Sequence, residues 1–258
     1  LVVIDTRGQE LPGQVTGKWD RFGQSLYTKA ADGDSVIAGD FSVIFNEERN
    51  NHLGDVPDIK TDCELRIRGN SSRHFPKKSY AIKLVEKDGT GKKVPVMGMG
   101  AHQDWVLNGP ILDKSLVRNY MWYNISGEVM DYAPNVRFCE VILNGRYEGL
   151  YLMVESITDG EDCRLNLTMK VKNSRESGYL LRIDRPTEEN LESVRDIYTF
   201  NERMCNLSED VMIRFPGPSK LTPKLAKEIE LDYGAFEKSL FSFDFDTKEY
   251  GYWNWIDV

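Results

Sequence analysis

Hydrophobic and polar residues alternate through Cys63–Leu84, CELRIRGNSSRHFPKKSYAIKL, which predicts a half-buried strand, a small-residue turn and a second strand. Upstream, Leu1-Val-Val-Ile4 and Phe41-Ser-Val-Ile-Phe45 read as short apolar strands, and residues 46–58, NEERNNHLGDVPD, as a loop. Downstream, the turn Asp88-Gly-Thr-Gly91 precedes Val94-Pro-Val-Met97, so a small antiparallel meander is expected. From Asp113 the period becomes helical. Asp113 is placed to cap a helix carrying Leu116, Tyr120 and Tyr123, and Val117, Met121 and Ile125 widen that stripe. Such a helix is expected to be buried over much of its circumference, ending between Gly127 and Pro134. FCEVILNGRYEGLYLMVE then reads as two strands joined by Asn144-Gly145, the preferred pair for a type I′ hairpin. Near the end, Leu225, Ile229, Tyr233, Phe236 and Leu240 mark a further helix. A helix and a buried hairpin beside a meander predict an α+β lobe of about 150 residues.

Composition narrows the partners. With 258 residues, 40% hydrophobic and 29% charged, the chain has the makings of one or two ordinary domains without disulfide staples. The net charge of −8, with no basic stripe interleaved with aromatics, argues against nucleic acid. A polyphosphate would need the local basic cluster at 68–83 and a divalent metal, whereas a basic protein substrate would be drawn to the acidic remainder. No apolar run approaches the roughly 18 residues that insert into a bilayer, and the LVVI start has no basic flank, so no signal peptide is visible. Cys63, Cys139, Cys163 and Cys205 have no C-x-x-C spacing; the first two read as small buried hydrophobes, and a Cys163–Cys205 disulfide is the lesser alternative. His52, His74 and His102 share no ligand spacing, and Asn70, Asn124, Asn166 and Asn206 head N-x-S/T triplets.

Candidate chemistry concentrates in the first hairpin. Gly69, Asn70, Ser71 and Ser72 allow close backbone approach to an anion, and Arg68, Arg73, Lys77 and Lys78 bring positive charge to both sides. The same residues equally describe a polar loop with solvated flanks. Ala81-Ile82-Lys83 has the small-spacer-lysine pattern of a phosphate-contacting strand, and Lys78 and Lys83 have opposite parity, so a regular strand cannot aim both at one ligand.

Four ordered blocks, RGNSSRHFPKKSY, DWVLNGPILDKSLVRNYMWYNI, YAPNVRFCEVILNGRYEGLYLMVE and GYLLRID, resemble the CotH family of spore-coat-protein-H-like atypical protein kinases, also found as domains of bacterial surface proteins. The resemblance implies an α+β, protein-kinase-like fold: an antiparallel small-lobe sheet with a packed helix, plus the start of a helical second lobe. It divides the chain into a strand-rich 1–60, a lobe with anion loop and hinge at 61–160, and a connection into the helical lobe at 161–258. The 69–72 turn then stands for the glycine-rich loop, and Val154-Glu155-Ser156-Ile157 for the adenine hinge. The family pattern stresses Lys77 and Lys78, which favours Lys78 over Lys83.

Under this resemblance the nucleotide-binding set is Arg68, Asn70, Ser71, Ser72, Arg73, Lys78, Lys83 and Glu155. Arg118 and Asn119 brace the lysine, or else fix the helix orientation as a buried polar pair; Asp184 has a supporting and more structural role. ATP and Mg²⁺ are the implied cofactors, with the metal ligands and catalytic segment expected beyond residue 258. Phe243-Asp244-Phe245-Asp246 comes too early in the order to replace them. The implied activity is transfer of the ATP γ-phosphate to Ser or Thr of a basic, Ser-rich partner protein, outside the cell, at the surface or in the spore coat of a bacterium. A non-catalytic surface or coat-assembly module, and a nucleotide-dependent transferase on the same fold, are the alternatives.

Overall fold

The computed structural model describes residues 1–130, 132–157, 167, 178–183, 199–202, 209–217 and 220–256. It divides into two compact units, one of Leu1–Trp19 with Ser25–Leu165 and one of Asp20–Gln24 with Asn166–Val258. The first unit holds β1 (Val2–Asp5), β2 (Val15–Trp19), β3 (Ser25–Tyr27), β4 (Ile37–Val43), β5 (Ile59–Arg68), β6 (Ser79–Val85), β7 (Val94–Pro95), β8 (Ala101–His102), β9 (Asp104–Asn108), α1 (Arg118–Val129), β10 (Val136–Leu143) and β11 (Arg146–Glu155). The second holds β12 (Leu180–Ile183), β13 (Thr199–Glu202), β14 (Glu209–Phe215) and α2 (Pro223–Phe241).

Seven strands of the first unit close into a barrel in the order β1-β10-β11-β9-β6-β5-β4. Closure rests on β1, which pairs parallel with β10 (Val2 beside Val141) and antiparallel with β4 (Val2 beside Val43). Alternation along each strand sends one side chain in two inward. Leu65, Ile82, Leu84, Trp105, Leu107 and Tyr151 are among those that fill the interior. Cys63 and Cys139 are free thiols within this core, each pushed up to about 12 by burial. The Asn144-Gly145 turn has φ of +51° and +75°, the double left-handed conformation of a type I′ hairpin.

The expected kinase-like α+β small lobe with a helical second lobe is overturned. The described residues are mostly sheet, with a closed seven-stranded barrel and two α-helices. Val2–Ile4 supplies the difference, because it joins both margins of what would otherwise be an open sheet.

The α1 expectation also fails. No residue of α1 is buried. Of its apolar side chains Tyr120 and Tyr123 pack onto the barrel, against a cluster of Val106, Val136, Leu152 and Val154 on its outer wall. A convex wall offers the helix one narrow contact, so Met121, Trp122, Ile125 and Val129 stay exposed.

In the second unit β12, β14 and β13 form an antiparallel sheet, and Val211 and Ile213 share a core with Leu225, Ala226 and Ile229 of α2. Thr222 caps α2 by accepting from the Leu225 N–H at 3.2 Å, and Pro223 occupies its first turn. Among the described residues no helix is long and apolar enough to cross a membrane.

Candidate functional site

The β5–β6 register sets Arg68 opposite Ser79, Arg66 opposite Ala81 and Glu64 opposite Lys83. Leu65, Ile67, Tyr80, Ile82 and Leu84 belong to the barrel core, so alternation puts Arg66, Arg68 and Lys83 on the outer wall. That wall also carries Val106, Leu152 and Val154, on which α1 sits; helix and cations therefore share one face. Arg66 and Lys83 are diagonal neighbours across the strand pair, a relation that spans about 7–8 Å. Lys83 Nζ lies 3.4 Å from Glu64 Oε2, which steadies its ammonium. The Arg68 side chain makes no hydrogen bond with a described residue; although it is exposed by surface area, desolvation against the wall lowers its guanidinium pKa.

Two contacts seat α1 beside this wall. The Asn119 amide donates to Asn108 Oδ1 at 3.3 Å, tying the first helical turn to the end of β9. The Asp113 carboxylate accepts from the Arg118 backbone N–H at 2.8 Å and from the Arg118 guanidinium at 2.7 Å. Asp113 thus caps the helix from five residues upstream, although the position next to the helix is Val117. Bonds from the Ser115 hydroxyl, the Arg118 and Ser115 N–H groups and the Arg118 charge hold its carboxyl at about 2.

The anion-loop candidates divide. Gly69 has φ of +107°, and a Cβ there would stand 1.9 Å from Ser72 Oγ, so the turn requires glycine. A single 3-10 turn follows at Ser71–His74, with the Arg73 N–H on the Asn70 carbonyl at 3.1 Å. Asn70 Oδ1 accepts from the Tyr27 hydroxyl at 3.3 Å, Ser71 is exposed and Ser72 half-buried. Arg73 does not face Arg68. It is buried, its guanidinium 3.7 Å from the centre of the Tyr27 ring and 3.4 Å from the Gly13 carbonyl. Lys78 precedes β6 and donates to the Arg73 carbonyl at 2.7 Å, which makes it a brace of the loop. Lys77 turns to Tyr151, 4.3 Å from the ring centre, and burial lowers its ammonium pKa.

Glu155 sits on the other side of the wall. Its carboxylate, almost fully buried, accepts from the Asn135 N–H at 2.8 Å and the Asn135 amide at 2.7 Å, with His102 Nε2 at 3.9 Å. The N–H groups of Glu155 and Ser156 donate to the Asn135 and Asp104 carbonyls, so the expected hinge residues already have these two donors engaged within the barrel. Asp184, Cys163 and Cys205 lie outside the described residues. Sequence reading missed Arg66, although the period-2 pattern of Glu64-Leu-Arg66-Ile-Arg68 places it on the face of Arg68.

Fold and site together define a filled β-barrel that presents cations on its outer wall beside one helix. The chain belongs to the CotH family: the family model described as CotH kinase protein matches residues 65–210, from within β5 to the start of β14. It is also similar to the inner spore coat protein H of Bacillus subtilis (strain 168), 32% identical over 100 residues that cover 39% of this chain and 25% of that protein. The match thus spans about a quarter of the relative's length.

Proposed function

We propose that this chain is the nucleotide-gripping part of a CotH-type atypical protein kinase that transfers the γ-phosphate of ATP to Ser or Thr of a partner protein in a bacterial spore coat. The observation that carries the reading is the gathering of Arg66, Arg68 and Lys83 on one wall next to the glycine-dependent loop. Guanidinium groups pair bidentately with phosphate oxygens, and an ammonium steadied by a carboxylate adds a point charge. Family membership and the name of the relative support the chemistry and the location.

In the transfer a substrate hydroxyl oxygen bonds to the γ-phosphorus, the bond to the β,γ-bridging oxygen breaks and ADP departs. The part assigned to this chain is to hold the anionic tail in line. Magnesium would neutralise phosphate charge in such a reaction. The ligands for that ion are expected beyond residue 258, and no step is routed through it here.

Titration with a fluorescent ATP analogue tests the reading. Lys83→Ala and Arg68→Ala each weaken binding tenfold or more, the effect of losing a charge-assisted hydrogen bond of about 1.5–3 kcal/mol. Lys78→Ala lowers stability with little effect on affinity. Absence of nucleotide binding, or binding indifferent to Lys83 and Arg68, refutes it. A second reading, a coat-assembly module without chemistry, is favoured by the exposed apolar side of α1. Radiolabelled γ-phosphate appearing on a basic, Ser-rich peptide excludes that reading.

A further inference from the structure

Asn144 and Gly145 carry the two groups of an intramolecular reaction. The nitrogen of a glycine attacks the side-chain amide of a preceding asparagine readily, because no Cβ obstructs the approach. Both residues are exposed at the tip of the β10–β11 hairpin, a Cβ at Gly145 would meet no atom within 4 Å, and the Gly145 N–H makes no hydrogen bond with a described residue. The nucleophile is therefore open to solvent and base. Its target is held elsewhere. Asn144 Oδ1 accepts from the Thr6 N–H at 2.8 Å, and Asn144 Nδ2 donates to Thr6 Oγ1 at 3.0 Å. Thr6 is fully buried and its hydroxyl donates to the Gln9 carbonyl at 2.8 Å; Gln9 Nε2 in turn donates to the Ala38 carbonyl of β4 at 3.0 Å.

This clasp lies on the seam that closes the barrel. Thr6 directly follows β1, whose Ile4 stands beside Leu143 of β10 and Phe41 of β4, and the Asn144 N–H donates to the Ile4 carbonyl at 2.8 Å. One side chain thus ties β1 to the hairpin and, through Gln9, to β4. Ring closure turns Asn144 Cγ onto the Gly145 nitrogen and makes it tetrahedral, which costs both bonds to Thr6. In that step the Gly145 nitrogen gives its proton to solvent base and bonds to Cγ, the Cγ–Nδ2 bond breaks, and ammonia leaves with a proton from water. Water then opens the succinimide ring to aspartate or isoaspartate. Either product undoes the clasp. A carboxylate has no proton for Thr6 Oγ1, whose own proton already goes to Gln9, and isoaspartate adds a backbone atom to a two-residue turn fixed at φ of +51° and +75°.

We infer that Asn144 is a deamidation site guarded by Thr6, and that its conversion is a one-way release of the β1 seam. The test is peptide mapping by mass spectrometry of the whole chain held at mildly alkaline pH, scoring deamidation at Asn144. Thr6→Val, which keeps the buried shape and removes the hydroxyl, deamidates about tenfold faster than wild type, the scale of losing one hydrogen bond. Thr6→Ser restores the slow rate, and in urea wild type and both variants share one fast rate. Asn144→Asp lowers the melting midpoint by about 2–4 °C and speeds hydrogen exchange along β1. Asn144 is on the surface, so this second arm stands whether or not Thr6→Val folds. Equal rates for native wild type and Thr6→Val, or an Asn144→Asp protein with unchanged melt and exchange, would overturn the inference.

Discussion

The ammonium of Lys77 stands 4.3 Å from the centre of the Tyr151 ring and 3.3 Å from the Glu148 carbonyl oxygen. It bridges the approach to β6 and the wall of β11 at a point where Gly109 and Gly149 leave room for its stem and head. Tyr151 is fully buried beside the Tyr80 ring, and burial together with the neighbouring Tyr80 hydroxyl raises its pKa. The cation over the ring face adds a polar contact to this buried tyrosine. Lys77→Ala is expected to cost on the order of 1 kcal/mol, the scale of a partly desolvated cation–π contact, read as a lower urea midpoint at unchanged slope.

Gly69 governs the loop next to the cationic wall. Gly69→Ala forces a Cβ into Ser72 Oγ at a left-handed φ, so the turn reopens. Expected are a stability loss of roughly 1–2 kcal/mol and weaker nucleotide binding. Ser72→Gly in the Gly69→Ala background relieves the clash and recovers part of both, which denaturant melts and nucleotide titration check together.

Glu155 separates two accounts of the chain after β11. A hinge residue would change nucleotide affinity when replaced. Its carboxylate instead satisfies both Asn135 donors inside the barrel. Glu155→Ala therefore costs on the order of 2–3 kcal/mol by stranding those donors, with nucleotide affinity per folded molecule within twofold of wild type.

Acid should loosen α1 before the barrel. The Asp113 carboxyl titrates at about 2, below its ordinary 3.8, chiefly because the Ser115 hydroxyl bonds to it. A depressed carboxyl contributes its stabilisation in full above about pH 4 and loses it as pH falls through about 2. The exposed Trp122 reports this as a fluorescence change in that window. Asp113→Asn removes the transition and gives a frayed helix at neutral pH.

Local chemistry was legible and long-range closure was not. The Asn144-Gly145 turn, the strand pair around Gly69, the Asp113 cap and the Leu225/Ile229 face of α2 each follow from a few adjacent residues. The union of Val2 with Val141 joins positions far apart in the chain, and no local period announces it. Of the site, Lys83 and Arg68 follow from alternation. Arg73 does not, because its burial depends on Tyr27 and Gly13, which arrive from a separate hairpin. For α1, the apolar stripe was visible, but its direction was misjudged, since periodicity cannot say whether a neighbour lies inside the same molecule.

Insertion of β1 between β4 and β10 has one more effect. A ring of strands exposes no unpaired margin of N–H and C=O groups along its length, so this barrel cannot recruit a companion by extending its own hydrogen-bond ladder. Contacts made by the barrel itself then run through side chains and turns, which lets its surface diversify while the cylinder beneath stays constant.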